Sequence, residues 1–229
     1  FYNGDKSNDI NVDLSKKTSY HGGDWQGIID KIPYLKELGV TAVWISPVNK
    51  NLESDSGYSS YHGYWTQDFK AVNPHFGDLA KLKEMVNKLH ENDIKIILDV
   101  VANHTAQLFY YDINQNGKFD DPVEILNEKG EKIKVSEKDP PYSAKGIKAL
   151  DGSPAKVIWF DDKENNRIAP SPKEFANPDW YNRRGHVSIW GTPEENLQTD
   201  LLNKALRLNN WFKVKKIREP DLINSLDLV

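Results

Sequence analysis

The apolar positions of the first hundred residues change period several times. Ile28, Ile29, Ile32, Leu35 and Leu38 recur at spacings of three and four, which predicts a helix over residues 25–39. Asp24 is placed to cap its start and Gly39 to end it. Residues 41–46 (TAVWIS) are a short apolar run that Pro47 stops, which reads as a strand. Leu79, Leu82, Val86 and Leu89 give a second helix, residues 79–92, its apolar face. Residues 94–100 are apolar apart from Lys95 and Asp99, and a nearly unbroken β-branched run fits a strand buried on both faces of a parallel sheet. Helix, strand, helix, strand in that order implies an α/β fold with right-handed crossovers.

Elsewhere the pattern is weaker. Residues 49–73 show no period but carry Tyr58, Tyr61, His62, Tyr64 and Trp65, then Asp68 and Phe69. An aromatic loop after a parallel strand is a candidate binding loop, or else its rings pack over the end of the sheet. Regular patterning stops after His104. Residues 123–133 alternate faintly and suggest a hairpin around Glu128, Lys129 and Gly130, while Trp159, Phe160, Trp180, Tyr181 and Trp190 fall in stretches rich in Pro, Asn and Asp. A long irregular stretch inside a compact chain is more often a functional excursion than a connector. Residues 201–214 read as a short amphipathic helix, and the basic run 213–216 as its solvated end.

Composition narrows the class. The 229 residues are 38% hydrophobic and 28% charged, so the chain is globular. A net charge of −4 with both signs mixed gives no case for nucleic acid or an anionic membrane as partner, and no apolar run reaches the roughly 18 residues of a membrane span. Without cysteine, disulfides and thiolate metal sites are excluded. Seven Trp and ten Tyr supply the stacking surfaces that apolar sugar faces need, as well as core. The chain starts at Phe1 and its one Met is Met85, so position 1 is expected not to be a translation start, and a signal peptide could belong to what precedes it.

Three groups of residues carry candidate chemistry. Asp99, Asn103 and His104 gather at the carboxyl end of the strand 94–100, where parallel α/β folds place their sites, although a strand-end acid paired with an Arg is an equal alternative. Asn3, Asp5, Asn8 and Asp9, with Gly22 and Asp24 after a short connection, offer hard oxygen ligands suited to calcium, or else form a solvated Asx-turn loop. Residues 112–120 (DINQNGKFD) match the front of an EF-hand loop through Asp112, Asn114, Asn116, Gly117 and Asp120. The twelfth position, however, is Val123, and Glu124 arrives one residue late. That loop is a second candidate calcium site or a plain Asx/Gly turn.

The segments 1–9 (FYNGDKSND), 21–28 (HGGDWQGI), 61–65 (YHGYW) and 99–104 (DVVANH) together resemble the alpha-amylase family of glycoside hydrolases (family 13), particularly its cyclomaltodextrinase, neopullulanase and cyclodextrin glucanotransferase branches. The resemblance runs to about residue 200. It implies a (β/α)8 barrel, present here as roughly strands two and three with adjoining helices over residues 1–104, a B domain inserted over 105–200, and a divergent segment 201–229. It implies an α-1,4-glucan (starch, maltodextrin or cyclodextrin) as partner and a retaining mechanism. Tyr64, on the aromatic segment with Trp65, would stack on the sugar at the cleavage point. His62 and His104 would bind that sugar's hydroxyls, and Asp99 would hold an Arg beside the nucleophile. Asn3, Asp5, Asn8, Asp9, the Gly22 carbonyl and Asp24 would hold one calcium, and Asn103 another. A secreted or periplasmic location would suit such an enzyme, with the cytoplasm as the alternative.

The chain also departs from the family. Its chemistry needs two carboxylates flanking the scissile bond, and no GFRxD-like strand follows residue 200. The acid/base Glu and last Asp lack counterparts, and LLNKALRLNN (201–210) does not match the calcium-ligand motif expected there. Two readings follow. In one, the chain is the N-terminal portion of an amylase-type enzyme and is inactive alone. In the other, it is a non-catalytic carbohydrate-binding or regulatory remnant. The first is favoured, because two barrel strands alone leave edges and apolar faces uncovered.

Overall fold

The computed structural model describes residues 2–126, 130–141, 143 and 145–185. The predicted helix 201–214, the basic run 213–216 and Trp190 lie outside them. The described residues form two compact units, one of residues 2–106 with 161–176, the other of 107–160 with 177–185.

The first unit holds the predicted helix–strand repeats, with one break. Residues 25–39 form two helices, α1 (Trp25–Asp30) and α2 (Ile32–Glu37), joined at Lys31. Pro33, at the start of α2, has no N–H to give to the turn before it, so one continuous helix cannot run through. Both predicted caps form. The Asp24 carboxylate accepts from Gly27 N at 2.6 Å, and Gly39 takes φ +80°. The N–H groups of Gly39 and Val40 reach back to the carbonyls of Lys36 and Leu35, 2.9 Å each, which is a Schellman motif. β1 (Ala42–Ile45) follows.

The span 49–73 contains strands the sequence concealed. β2 (Asn49–Asn51) pairs antiparallel with β5 (Thr66–Val72), and a short hairpin of β3 (Ser54–Asp55) and β4 (Tyr58–Ser59) lies between. The register slips twice, at Asn49/Lys50 and Lys50/Asn51. Each slip displaces the in–out alternation, so no period survives to be read. α3 (Leu79–His90) is capped by Asp78 and buries Leu82, Met85 and Leu89. Leu79, expected on that face, is 53% exposed at the helix start, and Met85, not expected there, is wholly buried.

β6 (Lys95–Leu98) pairs parallel with β1, Val43 opposite Ile96 and Trp44 opposite Ile97. Helices cover one face of this pair. Trp25, Ile32, Ile45, Leu82, Met85, Leu89 and Ile94 form its core, with Val43 and Ile96 packed against it. Full burial of such side chains stabilises by about 1.5–3 kcal/mol each. Among the described residues nothing covers the other face, where Trp44 is 72% and Ile97 50% exposed. The expectation of strands buried on both faces is corrected here: among the described residues the parallel sheet has two strands and does not close into a barrel.

The second unit is less irregular than its sequence. β7 (Phe109–Asp112) pairs antiparallel with residues Lys156–Trp159, and Val123–Leu126 pairs with Lys132–Val135. The second pair is the predicted hairpin, its strands extending to 135, with residues 127–129 outside the description. Phe109, Tyr111 and Tyr181 are buried; Phe109 meets Tyr111, Tyr181 and Trp159 edge to face, and Trp159 meets Tyr181 in the same way. Tyr110 meets Phe119 and Phe160 at 5.2 and 5.1 Å. Residues 161–176 return to the first unit, where Asp161–Asp162 pairs with Arg167–Ile168.

Candidate functional site

In the first unit the segment between β4 and β5 and the stretch after β6 bring the predicted aromatic and polar residues together. The Tyr64 hydroxyl donates to Asp99 Oδ2 at 2.6 Å, and this bond raises the Tyr64 pKa. The ring itself is 42% exposed. The Tyr64 backbone holds an imidazole on each side. Its N–H donates to His62 Nδ1 at 3.0 Å, and its carbonyl accepts from His104 Nε2 at 3.1 Å. One further tie joins the two segments, with Ala106 N donating to the Thr66 carbonyl at 2.9 Å, and within the second segment Asn103 Nδ2 donates to His104 Nδ1 at 3.2 Å.

These bonds fix the tautomers. His62 accepts at Nδ1, so its neutral ring carries the proton on Nε2. His104 donates from Nε2 and accepts at Nδ1. Burial lowers the pKa of both; for His104 the bond to the Tyr64 carbonyl raises it less than burial lowers it. Both rings are therefore mainly neutral at pH 7. His62 lies 5.9 Å from Tyr64, nearly parallel, and meets Trp65 edge to face at 4.7 Å. An exposed aromatic face beside a carboxylate and two neutral imidazoles suits a neutral, hydroxyl-rich ligand with an apolar face better than it suits an anion.

The N-terminal residues also converge. Asp24 accepts from Gly4 N (3.0 Å), Asp5 N (2.8 Å) and Asn8 Nδ2 (3.4 Å) besides capping α1, and Asn3 Nδ2 donates to Asp9 Oδ1 at 2.7 Å. Asp5 in turn accepts from Ser7 N at 2.9 Å. A Cβ on Gly22 would sit 2.4 Å from the Asn3 amide and 3.0 Å from Asp9 Oδ1, so only glycine fits. Asn3 Oδ1 and Asn8 Oδ1 are buried with no hydrogen-bond partner. Buried acceptors without partners are costly, and two in one loop of hard oxygens fit a calcium ion. Among the described residues no three His, Cys, Asp or Glu side chains cluster as a metal site, so the fit rests on amide oxygens. Asn103 shows no such fit, because it is exposed and its amide is turned to His104.

The loop 112–120, in the second unit, is internally satisfied. Asn114 and Asn116 both turn their amide nitrogens to Asp120 Oδ2, and Asp112 Oδ1 accepts from Gly117 N at 3.1 Å. Nothing in residue spacing points to Glu137. Its carboxylate is fully buried and accepts from Ile113 N and Asp120 N at 2.8 Å each. Burial pushes its pKa up against the bonds that pull it down. A lone Glu seventeen or more positions from its partners leaves no mark in sequence spacing. The same holds for buried His75 and half-buried Glu53, 3.0 Å apart.

Comparison with known proteins agrees on one family. The model of the alpha-amylase catalytic domain matches residues 1–184. A cyclomaltodextrinase of Thermoanaerobacter pseudethanolicus is 45% identical over 125 residues, 52% of this chain and 21% of that protein. A cyclomaltodextrin glucanotransferase of a Bacillus species is 48% identical over 99 residues, 42% of this chain and 14% of that protein. The crystal structure of a gamma-cyclomaltodextrin glucanotransferase from alkalophilic Bacillus clarkii matches at 44% identity and a TM-score of 0.44, covering 46% of this chain and 17% of that one. The chain spans less than a quarter of the length of these curated relatives.

Proposed function

The chain belongs to the alpha-amylase family, and from that we propose that it is the N-terminal portion of a glycoside hydrolase acting on α-1,4-glucans by a retaining mechanism. On this reading β1 and β6 are the second and third strands of a (β/α)8 barrel and residues 105–200 form an inserted B domain. The observation that carries the reading is the Tyr64 hydroxyl 2.6 Å from Asp99, with His62 and His104 held on the backbone of the same tyrosine. The sugar at the cleavage point lies on the Tyr64 face, beside Trp65. His62 meets its hydroxyls as a neutral group through Nε2–H, and His104 does so at Nδ1 when a sugar hydroxyl replaces the Asn103 amide there. Hydrogen bonds of this kind strengthen as an oxocarbenium-like transition state forms, and the aromatic face favours the developing positive charge.

The two carboxylates of the reaction have no counterpart in the 229 residues. Positioning groups without a nucleophile and an acid supply little of the barrier reduction, so the chain alone binds sugar without turning it over. A calcium ion would be held by Asn3, Asp5, Asn8, Asp9, the Gly22 carbonyl and Asp24. It would supply charge for the two unpartnered amide oxygens and tie the N-terminal loop to the start of α1. An extracellular or periplasmic location is part of the same proposal.

Calorimetric titration with maltotriose tests the function. Binding that is lost in Tyr64→Ala supports it. Binding equally strong in wild type and Tyr64→Ala, or none in the wild type, overturns it.

A further inference from the structure

We propose that Asn51 is a positioning residue for the aromatic turn 60–65, setting His62 and Tyr64 through the backbone of Trp65; this rests on the reading of those two residues as the sugar-binding pair. Asn51 is 5% exposed. Its Oδ1 accepts from Trp65 N at 2.6 Å and its Nδ2 donates to the Asn49 carbonyl at 2.7 Å. The next residue completes the grip, with Leu52 N donating to the Trp65 carbonyl at 3.0 Å. Both backbone groups of Trp65 are thus fixed by the dipeptide 51–52.

The other end of the turn is tied to the same strand. Ser60 is wholly buried, its hydroxyl donates to the Leu52 carbonyl, and its N–H donates to the Glu53 carbonyl at 3.2 Å. Three consecutive residues, 51 to 53, therefore hold entry and exit of the segment that presents Tyr61, His62 and Tyr64. Asn51 is itself held from behind. Asn166 Nδ2 donates to the Asn51 carbonyl at 2.9 Å and to Gln67 Oε1 at 3.0 Å.

The His62 Nδ1 bond to Tyr64 N forms only if residues 62–65 keep their turn. Trp65 is the immediate neighbour of Tyr64. Releasing the Trp65 N–H lets the turn open, exposes His62 and frees its ring to change tautomer. A side chain that never meets the ligand then acts on it through geometry, and misplacement by about 1 Å costs up to about a hundredfold in a positioned reaction.

Histidine-selective 15N spectra of the whole 229-residue chain test this. In the wild type His62 is protonated on Nε2 alone at neutral pH and titrates below the ordinary histidine midpoint. Asn51→Leu keeps the volume and removes both bonds. Its expected result is a His62 midpoint raised toward the ordinary value, mixed tautomers, and maltotriose binding about tenfold weaker. Asn51→Asp retains the acceptor for Trp65 N–H and loses the bond to Asn49, so it restores part of the signature. Leu82→Ala, a core change beneath α3, lowers the melting temperature and leaves the His62 signals in place.

An unchanged His62 titration and tautomer in Asn51→Leu overturns the proposal, as does an equal His62 shift in Leu82→Ala. If Asn51→Leu does not fold, Ser60→Ala carries the same two readings. A wild type that does not bind maltotriose would count against the proposed function, while the histidine spectra would still decide the role of Asn51.

Discussion

Asp99 accepts a 2.6 Å hydrogen bond from the phenol of Tyr64, thirty-five residues earlier in the chain. The bond joins the stretch after β6 to the aromatic turn and holds the Tyr64 proton more tightly than that of an ordinary tyrosine. In an ultraviolet titration Tyr64 is expected to ionise later than unperturbed tyrosine, and Asp99→Asn should bring its ionisation down to earlier pH. Tyr64→Phe keeps the ring and loses the bond, so maltotriose binding should survive in weakened form. Tyr64→Ala should abolish it.

Acidification should destabilise the first unit through its histidines. Burial lowers the folded-state pKa of His62 and His104 below the ordinary value of about 6.5. Between that value and the lowered ones the unfolded chain binds more protons than the folded one, so stability is present above about 6.5 and is lost as pH falls through the folded-state values. Melting temperature followed from pH 7 to pH 5 should fall, and the His62→Gln, His104→Gln double variant should fall less. Parallel curves for the two proteins would refute the assignment.

Calcium should stabilise the chain. At a concentration about a hundred times the dissociation constant the gain is about 2.7 kcal/mol, or about 5–10 °C in melting temperature for a domain of this size. A chelator should reverse it. Asn8→Ala removes one of the two unpartnered oxygens and should remove most of the response. A melting temperature indifferent to calcium would exclude the site.

Glu137 should be the most sensitive position of the second unit. Glu137→Leu leaves the N–H groups of Ile113 and Asp120 without their acceptor, at about 1–3 kcal/mol for the buried Ile113 N–H and less for the part-buried Asp120 N–H. Denaturant unfolding should show a loss of that order, and Glu137→Gln, which keeps one carbonyl oxygen, a smaller one.

Trp44 should behave as a surface residue despite its sequence. Trp44→Ser is expected to change stability by less than about 0.5 kcal/mol and to reduce the binding of a hydrophobic dye such as ANS. Its 72% exposure beside Ile97 is the reason.

The sequence was most legible where local rules decide. The caps at Asp24 and Gly39, the parallel strands at 42–45 and 95–98, and the second-unit hairpin all follow from neighbours within a few positions. The break at Lys31 was readable from Pro33 and was missed because the apolar period runs through it. β2 and β5 were hidden by their register slips. The bare face of β1 and β6 could not be read at all, since an apolar run shows what a strand can bury and not what covers it. Among functional residues, Tyr64, Asp99 and His104 stood out by motif. Asn51, Ser60 and Glu137 act through backbone groups far away in sequence, and such partners leave no spacing to detect.

The two imidazoles beside Tyr64 are mounted on its amide and carbonyl, which every residue but proline provides. Orientation of the histidines and identity of the ring at position 64 are thus separable properties. Selection, or an engineer, could exchange that ring to alter which face of a ligand is gripped while the two flanking imidazoles stay aimed as before. Proline alone would forfeit the His62 mount, because it has no N–H to give, while its carbonyl would still serve His104.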